Sequence, residues 1–202
     1  MALYARGCDM ADWTINAGSN PQHYRSRAGA GTPAIRYFQE STCASTAVIK
    51  AGDIVSNDTV VSTGGFRIVR APFNGGTPAV VLNTTNVLGI AIENSTSDGS
   101  TTGLALNDNT QIANRQLGVL IADGDAEFRG YLDAGPSLSS MIGTAHNIRY
   151  DSTNHVYLVE STNSTSGLTS VFITDVPRET VGDTNGPVIF KFLAANVSPA
   201  VK

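Results

Sequence analysis

Between Ile49 and Leu132, short apolar runs alternate with clusters of Gly, Asp, Asn, Ser and Thr. Ile49-Lys-Ala-Gly-Asp-Ile-Val-Ser opens the stretch. Leu88-Gly-Ile-Ala-Ile-Glu93, Leu117-Gly-Val-Leu-Ile-Ala122 and Glu127-Phe-Arg-Gly-Tyr-Leu132 follow. Runs of four to eight residues bounded by turn formers read as strands. Phe66-Arg-Ile-Val-Arg70 alternates apolar and basic residues, which predicts one buried and one wet face. Leu88–Ile92 and Leu117–Ile121 each carry Gly at the second position, where a strand interior often bulges or bends. Pro72-Phe-Asn-Gly-Gly-Thr-Pro78 reads as a loop, leading into a strand at Ala79-Val-Val-Leu82. Ser45–Lys50 and Asp53–Ser62 supply the remaining strand signals of this block.

The pattern divides the chain into three parts and a tail. Residues 1–44 carry turn signals at Gly18-Ser-Asn-Pro21 and Gly29-Ala-Gly-Thr-Pro33. They also hold Tyr4, Trp13, Tyr24, Tyr37 and Phe38, and disordered tails are poor in aromatics. The segment therefore reads as an extended N-terminal arm that orders by packing, on its own core or on a neighbouring subunit. Residues 45–135 are the β-barrel block. In residues 136–195, Leu138, Met141 and Ile142 share helical spacing behind Pro136, which predicts one or two helical turns. Strands follow at Asn147–Tyr150, Val156–Glu160, Leu168–Thr174 and Pro187–Leu193, and residues 196–202 read as a loose tail. The expected class is all-β, a small barrel with an N-terminal arm and additional C-terminal strands.

Composition narrows the function. The chain has 202 residues, enough for a core without staples. Charged residues are 15% of it, with Ser, Thr and Asn filling the gap at about a quarter of the chain. The net charge is −4, with only 13 basic residues. Phosphate neutralisation needs a clustered basic surface, and Arg25, Arg27 and Arg36 are the nearest approach. These arginines read as ion-pair or interface residues, so no nucleic-acid partner is expected. No apolar run reaches membrane-spanning length, and the N-terminus lacks the apolar run of a signal peptide. Synthesis in a cytoplasm is expected, with Cys8 and Cys43 as free thiols.

Catalytic motifs are missing from the sequence. His23, His146 and His155 stand alone among polar residues, and no Gly-x-Ser-x-Gly elbow, Walker loop or dinucleotide fingerprint occurs. Asp123, Asp125 and Glu127 alternate, so an extended backbone would point three carboxylates one way, as a Ca²⁺ site needs. The plainer reading is a Gly124-centred turn into a strand. A non-enzymatic protein with no metal and no cofactor is expected.

Ala51-Gly-Asp-Ile-Val55, Leu88-Gly-Ile-Ala-Ile92 and Leu117-Gly-Val-Leu-Ile121 with Glu127-Phe-Arg-Gly130 resemble the capsid decoration (cement) proteins of tailed bacteriophages. In these a Gly-Asp precedes the first strand and a Gly-rich hairpin closes the domain. Asn147-Ile-Arg-Tyr-Asp151 and Gly182–Leu193 are similar to tails of phage structural proteins. The resemblance implies a β-tulip barrel, a homotrimer bound to the major capsid protein, and a place on the exterior of the virion head. It also implies that an N-terminal arm reaches neighbours, so Tyr4, Trp13, Tyr24, Arg25, Arg27, Arg36, Tyr37 and Phe38 are the candidate capsid or subunit contacts. The alternative is a fibre, knob or adhesin module whose Ser/Thr/Asn-rich loops at 94–103 and 161–167 bind a host glycan.

Overall fold

A computed structural model describes residues 20–26, 34–40, 49–57, 67–70, 73–74, 80–82, 86–93, 116–151, 154, 156–162 and 170–197. These residues are all-β, as the strand pattern predicts, and no α-helix occurs among them. The strands are β1 (Gln22–Ser26), β2 (Ile35–Glu40), β3 (Ile54–Asn57), β4 (Arg67–Arg70), β5 (Phe73–Asn74), β6 (Val80–Leu82) and β7 (Val87–Ala91). They continue as β8 (Gln116–Ile121), β9 (Ala126–Tyr131), β10 (Ala145–His146), β11 (Ile148–Asp151), β12 (Val156–Val159), β13 (Val171–Asp175) and β14 (Pro187–Phe192).

The pairings form three groups. One sheet runs β1-β9-β14-β13-β10, and a second runs β12-β11-β6-β5. The strands β2-β4-β3-β7-β8 pair in a closed ring. Within the ring β2 and β4 are parallel, and the other neighbours are antiparallel. A parallel bridge from Leu132 to Val159 ties the first sheet to the second, and one from Val87 to Val197 brings the C-terminal stretch onto the ring. One hydrophobic core runs through the ring and the first sheet. It includes Ile54, Val55, Leu88, Leu117 and Val119 on one side and Phe128, Ile173, Phe190 and Phe192 on the other.

These ladders cut across the sequence divisions. Two stretches of the expected arm are strands of the body: β1 pairs with β9 and β2 pairs with β8 along five residues. The sequence hid β2 because both of its faces carry apolar side chains. Ile35 and Tyr37 alternate with Arg36 and Phe38, and no single face is cleanly hydrophobic. The C-terminal strands β13 and β14 share a sheet with β9, so residues 126–131 and 171–192 are one structural unit. Within the expected loop at 72–78, Phe73 pairs with Leu82 and Asn74 with Val81, making a short hairpin.

The predicted helical turns after Pro136 shrink to one 3-10 turn, Ser139–Met141. Its flanking residues are extended, with ψ of 140° at Leu138 and 129° at Ile142, so the three apolar residues no longer share a face. Met141 is buried, while Leu138 and Ile142 are exposed.

The two strand glycines behave differently. The β3–β7 ladder shifts register between Val55, opposite Gly89, and Ser56, opposite Val87, so Leu88 is the extra residue of a bulge. Gly118 lies in regular pairing opposite Tyr37. Gly52 has φ +91° and is the third residue of a turn in which the Asp53 N–H donates to the Lys50 carbonyl at 2.9 Å. That φ suits glycine at this turn position. The buried Asp53 accepts the Lys50 N–H at 2.8 Å and so fixes the turn from the other direction.

Candidate functional site

Exposed apolar side chains flank β8: Ile35 and Tyr37 on β2, and Ile92 just past β7, while β7 itself is buried along its whole length. Side chains alternate across a strand, so the register assigns the faces. Leu117 and Val119 of β8 are fully buried. Gly118 and Leu120 therefore share the other face, opposite Tyr37 and Ile35 of β2, with Gly118 buried and Leu120 packed partly buried against the core. Ile35 is 44% exposed and Tyr37 60%. Ile92, just past β7, is 41% exposed, and its N–H donates to the Gly118 carbonyl at 3.0 Å. Its side chain lies over Gly118, where a methyl group would meet Ile92 Cδ1 at 2.9 Å. Gly118 thus lets Ile92 settle close to the strand bearing Tyr37's partner position. Glu93 holds this corner, because its Oε1 accepts the Gly118 N–H at 2.7 Å in place of a ladder carbonyl.

Beside these residues lies a cleft of about 350 Å³. Its walls are residues 20–23, the turn residues Ala51 and Gly52, residues 90–92 and Leu120. Ile92 is common to both, so the cleft adjoins the exposed apolar residues. Asn20 anchors one wall. Its Oδ1 accepts the Tyr157 N–H at 3.0 Å, and it packs so tightly on Gly52 that a methyl there would sit 2.9 Å from Asn20 Cβ.

His23 is the titratable side chain of the cleft. Its ring meets Phe128 edge-on at 6.3 Å between centroids. Burial holds its pKa below the ordinary histidine value of 6.5, and the Asp123 carboxylate pulls weakly the other way. The unfolded chain therefore binds a proton at His23 more readily than the folded one. Stability contributed by the neutral ring is complete above about pH 6.5 and is lost as pH falls through the lower folded-state value. We expect acidification from pH 7.5 to 5 to lower the urea midpoint more in the unaltered protein than in His23→Gln. Equal losses in the two proteins would contradict it.

On β9 the chain buries Glu127 completely, and Arg25 of β1 covers it, with Nε donating to Oε2 at 2.5 Å. The Arg25 side chain is 45% exposed and also lies 3.9 Å from the Asp175 carboxylate. The carboxylate hydrogen bond raises the guanidinium pKa still further. An exposed pair contributes little, but a buried carboxylate without its cation is costly, so Arg25 acts here as a structural counter-ion. This disperses the carboxylates at 123–127. Asp123 Oδ1 accepts the Asp125 and Ala126 N–H groups at 3.1 and 2.8 Å and makes a turn, while Glu127 is buried beneath Arg25. No group of three His, Cys, Asp or Glu residues suited to a metal ion occurs among the described residues.

His146 is buried on β10, with Nδ1 donating to the Glu160 carbonyl at 2.8 Å and Nε2 2.7 Å from Thr144 Oγ1. Asn147 Nδ2 donates to Glu160 Oε2 at 2.9 Å, which completes a polar patch joining β10, β11 and the end of β12. His155 lies outside the described residues.

The candidate contact residues separate accordingly. Tyr37 is among the exposed apolar residues, and Arg36, beside it on β2, is exposed opposite Val119. Phe38 faces the other way, opposite Leu117, and packs partly buried against the core. Alternation along β2 turns it away from Tyr37. Tyr24 is exposed on β1, with the Arg25 guanidinium 5.3 Å from its ring centre. Tyr4, Trp13 and Arg27 lie outside the described residues, as do the loop at 94–103 and residues 163–167 of the second polar loop.

No family model, curated protein or solved structure matches this chain.

The sequence alone did not single out Ile35, Ile92, Leu120 or the His23 wall. Their signal was weak because each is an ordinary strand residue. Only the register of β2 on β8, and the return of residues 20–23 to β7, collects them.

Proposed function

We propose that this chain is a non-enzymatic structural protein of a virion that binds the outside of an icosahedral phage head and stabilises its lattice. The observation that carries the reading is the group of exposed apolar residues Ile35, Tyr37 and Ile92 on the strands either side of β8. Single exposed apolar residues are ordinary, but adjacent ones on a rigid face mark a protein contact. Aromatic residues such as Tyr37 often carry a large share of binding energy at such contacts. The resemblance of Ala51–Val55, Leu88–Ile92 and Leu117–Ile121 to capsid decoration proteins names the partner, the major capsid protein. It also supports a homotrimer on the head exterior, made in the host cytoplasm. Repetition suits this arrangement. A modest contact, repeated by symmetry, gains strength through effective concentration without any deep site.

The test mixes purified protein with empty expanded heads and follows cosedimentation. Saturable binding is expected, and Tyr37→Asp should weaken it about tenfold or more, because the charge would be desolvated at the contact. Tyr37 is exposed, so the variant should fold with an unchanged melting temperature. Equal binding by Tyr37→Asp would remove this face from the interface, and no binding by the unaltered protein would end the capsid reading.

A further inference from the structure

We propose that the cleft beside the exposed apolar residues is a socket for one uncharged aromatic side chain of the bound protein, an indole or a phenol. The inference rests on the interface reading above and names what anchors that contact.

Charge is the first reason. None of the described residues lining the cleft is Asp, Glu, Lys or Arg. Its one titratable group, His23, is held neutral by burial. A charged occupant would lose its water and find no opposite charge, whereas a neutral one complements the walls.

Size is the second. At about 350 Å³ the space lies near the lower end of the range for ligand pockets, about 300–1,000 Å³. It is too small for a large cofactor and ample for one ring with its attachment.

The mixed lining is the third. Ile90, Ile92 and Leu120 supply apolar surface, and Asn20, Gln22 and His23 add polar groups to the lining. An aliphatic side chain would meet only the apolar part. An indole or phenol carries both a ring and an N–H or O–H, and buried Trp and Tyr generally need a partner for that group. Anchoring residues of this kind, seated in preformed pockets, dominate many protein contacts.

The walls are also braced. Asn20 is tied to β12 through Tyr157, Gly52 donates to the Ala91 carbonyl at 2.8 Å, and His23 stands against Phe128. A socket that keeps its shape when empty loses little on filling.

Indole is the probe. With Ile and Leu methyl groups labelled, titration with indole should move the NMR signals of Ile90, Ile92 and Leu120 along one saturable curve. Ala51 is an exposed wall residue, so Ala51→Phe should fill the mouth while leaving the fold intact, and Ala51→Ser should not. Indole affinity should fall about tenfold or more in Ala51→Phe, a loss of about 1.4 kcal/mol. Binding to expanded heads should fall in parallel. Shifts scattered over the surface, or unchanged by Ala51→Phe, would overturn the socket whatever the heads do. Head binding that survives Ala51→Phe, with indole binding abolished, would also overturn it. If the unaltered protein binds indole in the cleft but binds no heads, the capsid reading fails and ring binding by the cleft stands.

Discussion

Gly89→Ala is expected to cost about 3 kcal/mol or more, at the upper end of what overpacking usually does. A methyl group at this position would run into the backbone carbonyl of Leu120, on the neighbouring strand β8. Flexible side chains can move away from such a clash, but a carbonyl held in a ladder cannot do so without breaking pairs. Ala122 donates to Leu88 and Ile90 pairs with Leu120 just there, so the strain spreads along the β7–β8 ladder. The register shift at Leu88 lies beside this close approach, and bulges locally bend and twist the strand that carries them. Gly124→Ala is the control. Gly124 lies in the exposed turn before β9, where a methyl group would meet nothing within 4 Å. Its effect should stay within about 0.5 kcal/mol. Urea unfolding of the two variants beside the parent measures both numbers. Similar midpoints for Gly89→Ala and the parent would show that the β7–β8 approach yields easily.

Phe128→Ala should be the most damaging change in the first sheet, with a loss of about 3–5 kcal/mol. Phe128 is fully buried on β9 and meets three rings. Phe190 stacks on it at 6.0 Å, Phe192 meets it edge-on at 5.5 Å, and His23 stands against it at 6.3 Å. The cost combines lost transfer free energy with a cavity that β9 and β14, paired through Phe128 and Phe190, cannot close. The same substitution removes the support of His23. Its ring should gain water, and its pKa should move up toward the ordinary value. NMR titration of the His23 ring in Phe128→Ala and in the more conservative Phe128→Leu measures this separately from stability. An unshifted His23 in both variants would mean that burial by Phe128 is not what lowers it.

The strands legible in the sequence were those with a consistent apolar period or a clear boundary. Val87–Ala91, Gln116–Ile121, Val156–Val159 and Pro187–Phe192 all fall within a residue or two of their expected places. They are buried on one or both faces, so their composition is dictated by the core. Gln22–Ser26 was not legible, because it pairs along one edge of its sheet and carries the polar residues of an exposed strand. The bulge near Gly89 was legible as a possibility at two positions and real at one. A glycine permits close approach, but the neighbouring strand decides whether it is used. Arg25 is an ion-pair residue, as its place beside Arg27 and Arg36 suggests, but the sequence does not show its partner. Its role as the counter-ion of Glu127 depends on a residue 102 positions away.

What this sequence settled by itself was local: strands in place of helices, turns at the Gly and Asp clusters, and a polar surface low in charge. Side-chain alternation and turn chemistry act over a few residues, so they can be read directly from the order of amino acids. The tertiary structure decided which face of each strand is covered, why one carboxylate needs a cation, and where Ile35, Tyr37, Ile92 and the His23 wall come together. Those outcomes depend on pairings between distant segments, such as Asn20 with Tyr157 across 137 positions. Each long-range pairing must repay the entropy of closing its loop through the burial of all the others, so no short stretch of sequence encodes it alone.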